Sequence, residues 1–522
     1  RRDAGDGPMT VITFPTPPQA YNQQYLTQVL QQIKGGFQSV DQSIASPAVI
    51  TNVTRNGYWV QPFINVQADY NASGVGGTMQ DAEINAAIAA ANESGRQLWF
   101  PPGDYDFASP LDTITKNGVS VEGAGQNSTR LRCWATSGNS LTFTGQFPAI
   151  RNLTLWPILW KSSGYEVSFE GTYRGLIENV LSQYHHNAFN IESCAQPEIR
   201  SCTTLFAHGD QHINMIGSAL EPVSGLFIAG HSSNNAHPVT DTTYKAFGPG
   251  QSFTEGQFTY ENNYCWQCVQ SGTTAGSGTL TPPMSNSYDW AGAAGNVTHG
   301  SAAFRMLSTT TLAGCRMDSF AYSLSIARSA FINGAYGFAM TDGAATGSSY
   351  PKWMASDDLQ ADHCFFAGVH ASGGIDINLG VKAWIGSTLA GNGITLVPGF
   401  RGSFKMLGAR VSGNLQTGMY MGAGIDNMIG YCQFSENSSS SFGTYNDIVI
   451  DSGVSAFDIS HNRFGSEDGG TPNTAYVGCL VVSGASDDYI ISHNRGRDLS
   501  SGITVFDGGT GVNKVVAINL YG

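Results

Sequence analysis

The chain has 522 residues and a formal net charge of −14, and only 12% of its residues are charged whereas 64 are glycine. This length exceeds one ordinary globular core, and the composition favours a repeat of short strands and turns over a helical bundle. The acidic balance argues against a general nucleic-acid-binding protein. No apolar run reaches the roughly 18 residues of a membrane-spanning helix, and the opening residues do not match a secretory signal peptide.

The N-terminal region is predicted to be distinct from the rest of the chain. Residues 1–8 precede Met9 and are expected to be a remnant of expression. Within residues 9–60, apolar side chains recur at helical spacing from Tyr21 to Ile33. A helix this short is marginally stable alone. Its row of apolar side chains is therefore expected either to pack on its own chain or to associate with other copies. The segment 9–60 is therefore predicted to serve attachment or oligomerisation.

Residues 61–107 carry the clearest local pattern. Apolar positions at helical spacing predict a helix over Met79–Glu93, which Gly95 ends. Leu98–Phe100 is predicted to be a short buried strand, and after a Pro-Pro-Gly turn Tyr105–Phe107 begins the next strand.

This pattern resembles the opening segment of the right-handed β-helices of the pectate-lyase superfamily, which occur in many phage tailspikes and exopolysaccharide depolymerases. The matching residues are Asp69-Tyr-Asn-Ala72, the helix, and Phe100-Pro-Pro-Gly-Asp-Tyr105, and Val121-Glu-Gly-Ala-Gly125 resembles the next turn. The chain departs from the family at Gly74-Val-Gly-Gly77, where a G-D-G loop is usual. The resemblance implies an all-β right-handed parallel β-helix whose first coil is capped by the helix, and it says little about chemistry.

Residues 108–522 are predicted to form the parallel β-helix itself. Ile459–Gly465 and Ile491–Arg497 repeat almost literally, which is typical of solenoid coils. The repeat places His461 beside His493 on neighbouring coils, an arrangement interpreted as a ladder of turn residues rather than a metal site.

Residues 231–300 break this rhythm with low-complexity stretches and many aromatic residues. A long insertion on a rigid scaffold is usually functional, so a large loop insertion is predicted there.

Carboxylates are the expected catalysts if the chain cleaves a polysaccharide, because glycoside hydrolysis needs an acid and a second carboxylate about 5–9.5 Å away. The densest acidic cluster contains Asp357, Asp358 and Asp362, which are predicted to be catalytic, and Trp353 upstream is predicted to stack on a sugar ring. The alternative is that these acids are solvated surface residues at a turn.

The second-choice catalytic set lies in the insertion and comprises Glu255, Glu261 and Asp289. Aromatic residues suited to sugar binding are interleaved with these acids, namely Tyr260, Trp266, Tyr288 and Trp290. The alternative is that they form the core of the insertion. A third set, Asp210 with His208 and His212, could supply a base and an acid, although turn polarity also explains it. No metal site and no cofactor are expected.

The resulting functional hypothesis is a homotrimeric phage tailspike that binds and depolymerises a bacterial exopolysaccharide, capsule or O-antigen. Its N-terminal segment would join the phage tail or baseplate, so a virion or extracellular location is predicted. Hydrolysis is favoured over β-elimination, which requires a uronic acid in the substrate. The alternatives are a glycan-binding virion fibre without enzymatic activity and a secreted cellular polysaccharide lyase or hydrolase.

Overall fold

The structure is a computed structural model that describes residues 53–55, 58–60, 63–234, 244–282, 296–341, 350–437, 446–465, 480–497 and 505–521. The chain divides into two compact units, Arg1–Phe63 and Ile64–Gly522. In the first unit the described strands Val53–Arg55 and Tyr58–Val60 form an antiparallel pair. The helix predicted over Tyr21–Ile33 lies outside the described residues.

One face of the second unit is a twelve-stranded parallel sheet, here called sheet 1, in which each coil of the chain adds one strand. Parallel strands require a crossover between them, and here the remainder of each coil supplies it. The strands of sheet 1 are Leu141–Phe143, Tyr165–Glu170, Asn187–Glu192, Gln211–Ile216, Ala313–Met317, Tyr336–Met340, Ala367–Ala371, Asn392–Leu396, Met419–Met421, Ile448–Ile450, Leu480–Val482 and Val505–Asp507.

A second stack of parallel strands, sheet 2, follows sheet 1 in each coil. Four long strands continue from it into the third stack: Ala149–Pro157, Leu176–Gln183, Ala321–Ile332 and Lys352–Asp362. The other strands of sheet 2 are Phe63–Asn65, Gln97–Phe100, Ser120–Gly123, Glu198–Arg200, Val223–Ser224, Phe227–Ala229, Ile375–Leu379, Phe404–Leu407, Asn427–Gly430, Phe457–Ser460, Tyr489–Ser492 and Lys514–Ala517.

Sheet 3 completes each coil and leads back to sheet 1. The long strands bend into it at single residues with a left-handed backbone, such as Asn179 with φ 53° and Asp358 with φ 56°. Its other strands are Gly103–Phe107, Thr129–Cys133, Thr203–Leu205, Ser232–Asn234, Trp384–Gly386, Arg410–Ser412, Gln433–Ser435, Arg463–Gly465, Arg495–Arg497 and Leu520–Tyr521.

Helix α1 (Asp81–Ser94) covers the start of the coils. Its buried residues Ile84 and Ile88 belong to the same apolar core as Leu98 of the first sheet-2 strand. Gly95 ends the helix in a left-handed conformation, and its N–H donates to the Ala91 carbonyl. The prediction of an all-β parallel β-helix with a capping helix is therefore confirmed.

The interior of the coils is one continuous apolar core that runs from Ile64 to Ile491. The cysteines of the described residues are free and buried, as expected for thiols that pack as small apolar groups. The predicted ladder at the repeat is also present, because the Asn462 amide donates to Asn494 Oδ1 at 3.0 Å and the rings of His461 and His493 stack with centroids 4.9 Å apart.

The insertion leaves the coil after Asn234 and returns at Ala313. It contains a four-stranded antiparallel sheet in the order Phe258–Glu261, Tyr264–Gln270, Ala302–Thr309 and Asn296–His299, with the short pair Ser252–Phe253 and Gly272–Thr273 beside it. Its apolar residues pack on the coils at Trp160 and Phe206 on one side and at Phe365 and Leu389 on the other. The insertion is thereby anchored next to sheet 1.

Candidate functional site

The outer face of sheet 1 carries a line of polar side chains in register on successive strands. Hydrogen bonds join the first three of them: Asn190 donates to Ser168 Oγ at 3.1 Å, and Asn214 donates to Asn190 Oδ1 at 2.9 Å. Arg316 pairs with Asn214 on the next strand, and His370 lies two strands further on. Successive strands are about 4.8 Å apart, so this polar line extends over roughly 24 Å. Ser168, Asn190 and Asn214 are at most 5% exposed, so this part of the line holds the groups beside it in place and does not itself face solvent.

Two glutamates stand in register at one end of this line. Glu170 and Glu192 are direct partners on adjacent parallel strands, so their side chains leave the same face about 4.8 Å apart. Ser168 Oγ donates to Glu170 Oε1 at 2.8 Å and Asn139 to the same oxygen at 3.2 Å, whereas Asn190 donates to Glu192 Oε2 at 3.1 Å. Glu170 is half-buried and Glu192 is exposed. The pair is therefore held by polar partners yet open to solvent.

Two aromatic residues lie in the turns that follow the first two strands of sheet 1, the second of which ends at Glu170. Phe147 is 52% exposed, and its ring meets Tyr173 edge to face with centroids 5.4 Å apart. Tyr173 follows Glu170 by three residues, and Arg174 places its guanidinium 5.1 Å from the Tyr173 ring centroid. An exposed aromatic surface beside two carboxylates suits the apolar face of a sugar ring.

The middle of the face is organised around Arg316. Its guanidinium donates to the Thr311 carbonyl at 3.2 Å, and the Thr311 hydroxyl donates to Asp210. The rings of Tyr336 and His370 lie 4.8 Å apart. Burial, together with the Arg316 charge, lowers the pKa of His370 to about 4, and burial raises the pKa of Tyr336. At neutral pH the Arg316 region therefore combines the Arg316 cation, the neutral His370 imidazole and the protonated Tyr336 phenol.

The first-choice acids predicted from the sequence do not come together as an exposed group. Asp357 and Asp358 are exposed, and the chain bends at Asp358, which donates its N–H to the Val381 carbonyl. Strict alternation along a straight strand would place Asp362 on the outer face with Asp358, but Asp362 is only 6% exposed. It pairs with His363 Nδ1 at 3.0 Å and accepts that residue's N–H. This ion pair raises the pKa of His363. Asp362 thus serves a local pair on sheet 3, away from its two acidic neighbours.

The second-choice residues in the insertion also separate. Glu255 is exposed and Glu261 half-buried, whereas Trp266 is completely buried and donates its indole N–H to the Glu261 carbonyl at 3.1 Å. The prediction that Trp266 contacts a sugar is therefore wrong: its ring belongs to the core of the insertion. Tyr260 is 46% exposed and stacks on Tyr244. Tyr288, Asp289 and Trp290 lie outside the described residues.

The histidines of the third set are interior groups. His185 Nε2 lies 3.1 Å from His212 Nδ1, and His208 Nε2 lies 2.9 Å from the Lys161 carbonyl. Burial lowers the pKa of His208 to about 3 and keeps His185 neutral in the same way. These histidines are buried, so a substrate cannot reach them, whereas Asp210 is exposed and belongs to the Arg316 region.

The glutamate pair was not predicted from the sequence. Glu170 and Glu192 occur in unlike local sequences, and only the register of the two strands brings them together. In the part of the chain that the structure describes, no group of three or more His, Cys, Asp or Glu is placed to hold a metal ion. The described helix is also too short to cross a membrane.

Comparisons with known proteins agree with this architecture. The family model described as rhamnogalacturonase A/epimerase, pectate lyase-like, matches residues 63–292. The A-module of mannuronan C-5 epimerase AlgE4 from Azotobacter vinelandii is 13% identical with a TM-score of 0.51, over 87% of this chain and 99% of that one. The N-terminal fragment of bacteriophage Phi29 gene product 12 is 10% identical with a TM-score of 0.54, over 87% of this chain and 71% of that one.

No curated protein matches the sequence. At such low identities the structural likeness shows the fold alone. It confirms that the chain is a right-handed β-helix, and the family model adds a similarity to pectate-lyase-like proteins over residues 63–292.

Proposed function

We propose that this protein is a phage tailspike that hydrolyses a bacterial surface polysaccharide at the glutamate pair on the outer face of sheet 1. The observation that carries the enzymatic proposal is the glutamate pair Glu170 and Glu192, in register on adjacent strands. A spacing of about 5–5.5 Å between two carboxyl groups is that of hydrolases which retain the anomeric configuration, and the spacing between strands of about 4.8 Å is close to it.

The surroundings of each glutamate suggest its role. Glu170 is held by two donors on one oxygen, so it is the group positioned to attack the anomeric carbon. Glu192 is exposed and protonates the glycosidic oxygen as that bond breaks. The resulting glycosyl ester on Glu170 is then attacked by water, whose proton passes to Glu192, and both carboxyl groups return to their starting states. Phe147 and Tyr173 would support the sugar during these steps.

β-Elimination is the second candidate, because the Arg316 region has the groups that this reaction needs. A uronate carboxylate would pair with Arg316, neutral His370 would take the proton next to that carboxylate, and the Tyr336 phenol would protonate the departing oxygen. The chain carries a net charge of −14, so an acidic polymer requires a local cation such as Arg316 to bind.

The attachment and assembly of the tailspike are also proposals. Residues 9–60 would join the phage tail or baseplate, and three copies would assemble side by side, as the sequence resemblance implies. Light scattering on the full chain tests this assembly. The expected mass is three times the chain mass of 55.4 kDa, whereas a monomer would favour a secreted cellular enzyme.

The enzymatic proposal is tested by incubating the full chain with purified bacterial capsules and O-antigens and analysing the products. New reducing ends with retained anomeric configuration, followed by NMR, are expected for hydrolysis by the pair. Ultraviolet absorbance from unsaturated uronates would establish elimination instead. Inverted products would refute the mechanism by the pair, and a polymer that is bound but never cleaved would leave a binding fibre.

A further inference from the structure

A cavity of about 400 Å³ lies on the outer face of sheet 2, a different face from that of the glutamate pair. Its lining includes Trp353, Asp376, Asn378 and Lys405. This volume falls within the range of about 300–1,000 Å³ usual for small-ligand sites. We propose that it is a second, non-catalytic site that binds a pyranose unit of a polysaccharide, with Trp353 as the stacking platform.

The backbone of Trp353 is the first argument. Its φ is 62°, a left-handed conformation that is unfavourable for a bulky L-residue. Strand register aligns it with corner residues of neighbouring coils that share this conformation but are small or polar. Those corner residues are Ser323, Asp376, Asp426, Ala456 and Asp488. This backbone conformation therefore recurs at the corner in several coils, and it does not require a tryptophan.

The exposure of Trp353 is the second argument. Its side chain is 55% exposed, so the indole contributes little to packing. Tyr322 lies beside it with ring centroids 6.5 Å apart, and Lys352 Nζ sits 5.3 Å from the Tyr322 ring centroid. Tyr431 and Phe147 also combine a left-handed backbone with high exposure, so what distinguishes Trp353 is its place in the lining of a cavity, where an exposed aromatic surface suits ligand binding.

The polar groups around the indole identify the class of ligand. The Asp376 carboxylate accepts bonds from the Ser403 N–H at 3.0 Å and hydroxyl at 2.9 Å, which fixes it at the edge of the cavity. Asn378 and Lys405 add an amide and an ammonium group on adjacent strands. An aromatic surface flanked by fixed donors and acceptors matches a pyranose, whose ring has an apolar C–H face and hydroxyls around its edge.

The cavity also has room for a polymer to continue. A second cavity of about 740 Å³ shares Lys405 with the first and extends along sheet 2 to Asp458, Asp488 and Lys514. A chain held here would raise the local concentration of the same polymer at sheet 1. The site would therefore matter for long polysaccharides and not for short fragments.

The test is retention of the full chain on an array of purified bacterial capsular polysaccharides and O-chains. Trp353→Ala is expected to weaken retention of the bound polymer at least about tenfold, a usual cost for losing a stacked aromatic anchor, and Trp353→Phe by less. Trp384→Ala is the matched control, because Trp384 is also exposed, at 38%, but lies on sheet 3 outside the cavity. Unchanged thermal unfolding confirms that each variant is folded.

Equal retention of Trp353→Ala and Trp384→Ala would overturn the proposal, as would a wild-type protein that binds no polymer on the array. The outcome is independent of the enzymatic proposal. Glu192→Gln should abolish cleavage while retaining the polymer, whereas Trp353→Ala should weaken retention of the polymer while still cleaving short oligosaccharides. A loss of cleavage alone therefore points to sheet 1, and a loss of polymer retention alone points to sheet 2.

Discussion

Replacing Glu192 with glutamine should abolish most of the cleavage activity without disturbing the fold. Glutamine keeps the size of the side chain and can still accept the bond that Asn190 donates to Oε2 at 3.1 Å. It cannot protonate a departing oxygen. Loss of a general acid or base typically costs about 10²–10⁴-fold in rate, which corresponds to about 3–5 kcal/mol of activation free energy.

Glu170→Gln should cost at least as much, because no covalent intermediate can then form. The two glutamates act as one unit, so the double variant should be scarcely slower than the slower single variant. Rates of reducing-end release from the cleaved polymer measure all three effects. Glu198→Gln is the control, because that glutamate pairs with Arg200 on sheet 2, away from the glutamate pair.

The rival assignment of catalysis to the acidic cluster is tested in the same assay. Asp358→Asn should leave the rate unchanged, because Asp358 occupies an exposed corner between sheets 2 and 3. If Asp358→Asn is inactive while Glu170→Gln and Glu192→Gln remain fully active, the reasoning from strand register is refuted.

Two further predictions concern stability. Lys161→Met should lower the free energy of unfolding by about 3–5 kcal/mol, since it leaves the Glu166 charge buried without its counter-ion and with only the Ser140 hydroxyl as a donor. The ion pair is 3.0 Å long and at most 1% exposed. The double variant Lys161→Met/Glu166→Leu should recover much of this loss in urea unfolding, and additive losses would contradict the coupling. Burial raises the pKa of Asp447 to about 7. Between about pH 4 and 7 the folded protein therefore keeps this carboxyl protonated, whereas the unfolded protein releases the proton. The free energy of unfolding consequently falls as the pH rises through this range. Asp447→Asn should remove that loss and be more stable than wild type at pH 8, and equal melting temperatures at pH 8 would contradict it.

Much of the architecture could be predicted because local sequence determines it. The helix predicted over Met79–Glu93 is observed at Asp81–Ser94, since its apolar spacing and the glycine after it are sufficient signals. The repeat around His461 and His493 is observed as a ladder for a similar reason: two nearly identical segments adopt the same conformation one coil apart. In both cases the structure is specified by short segments that can be recognised directly in the sequence.

The candidate site could not be predicted in the same way, because it depends on how the coils align. Asn190 bonds to Ser168, which lies 22 residues earlier in the sequence, and to Asn214, which lies 24 residues later. The whole insertion separates Asn214 from its register partner Arg316. Each of these sequence separations depends on the lengths of the turns between the strands, and no local sequence motif specifies those lengths. The failure at Asp362 has a related cause, since the bend at Asp358 ends the simple alternation expected of a straight strand.

This geometry also explains why the fold alone does not determine the chemistry. Coils stack at about 4.8 Å, so two acids in register on adjacent coils match the spacing of about 5–5.5 Å for retaining hydrolysis. Acids separated by an additional coil lie roughly twice as far apart, near the upper limit of the range for inverting hydrolysis. A cation beside a neutral imidazole and a phenol, as at Arg316, suits elimination instead. One unchanged backbone can therefore support three reactions, and the choice depends on which side chains share a register position, as Glu170 and Glu192 do here.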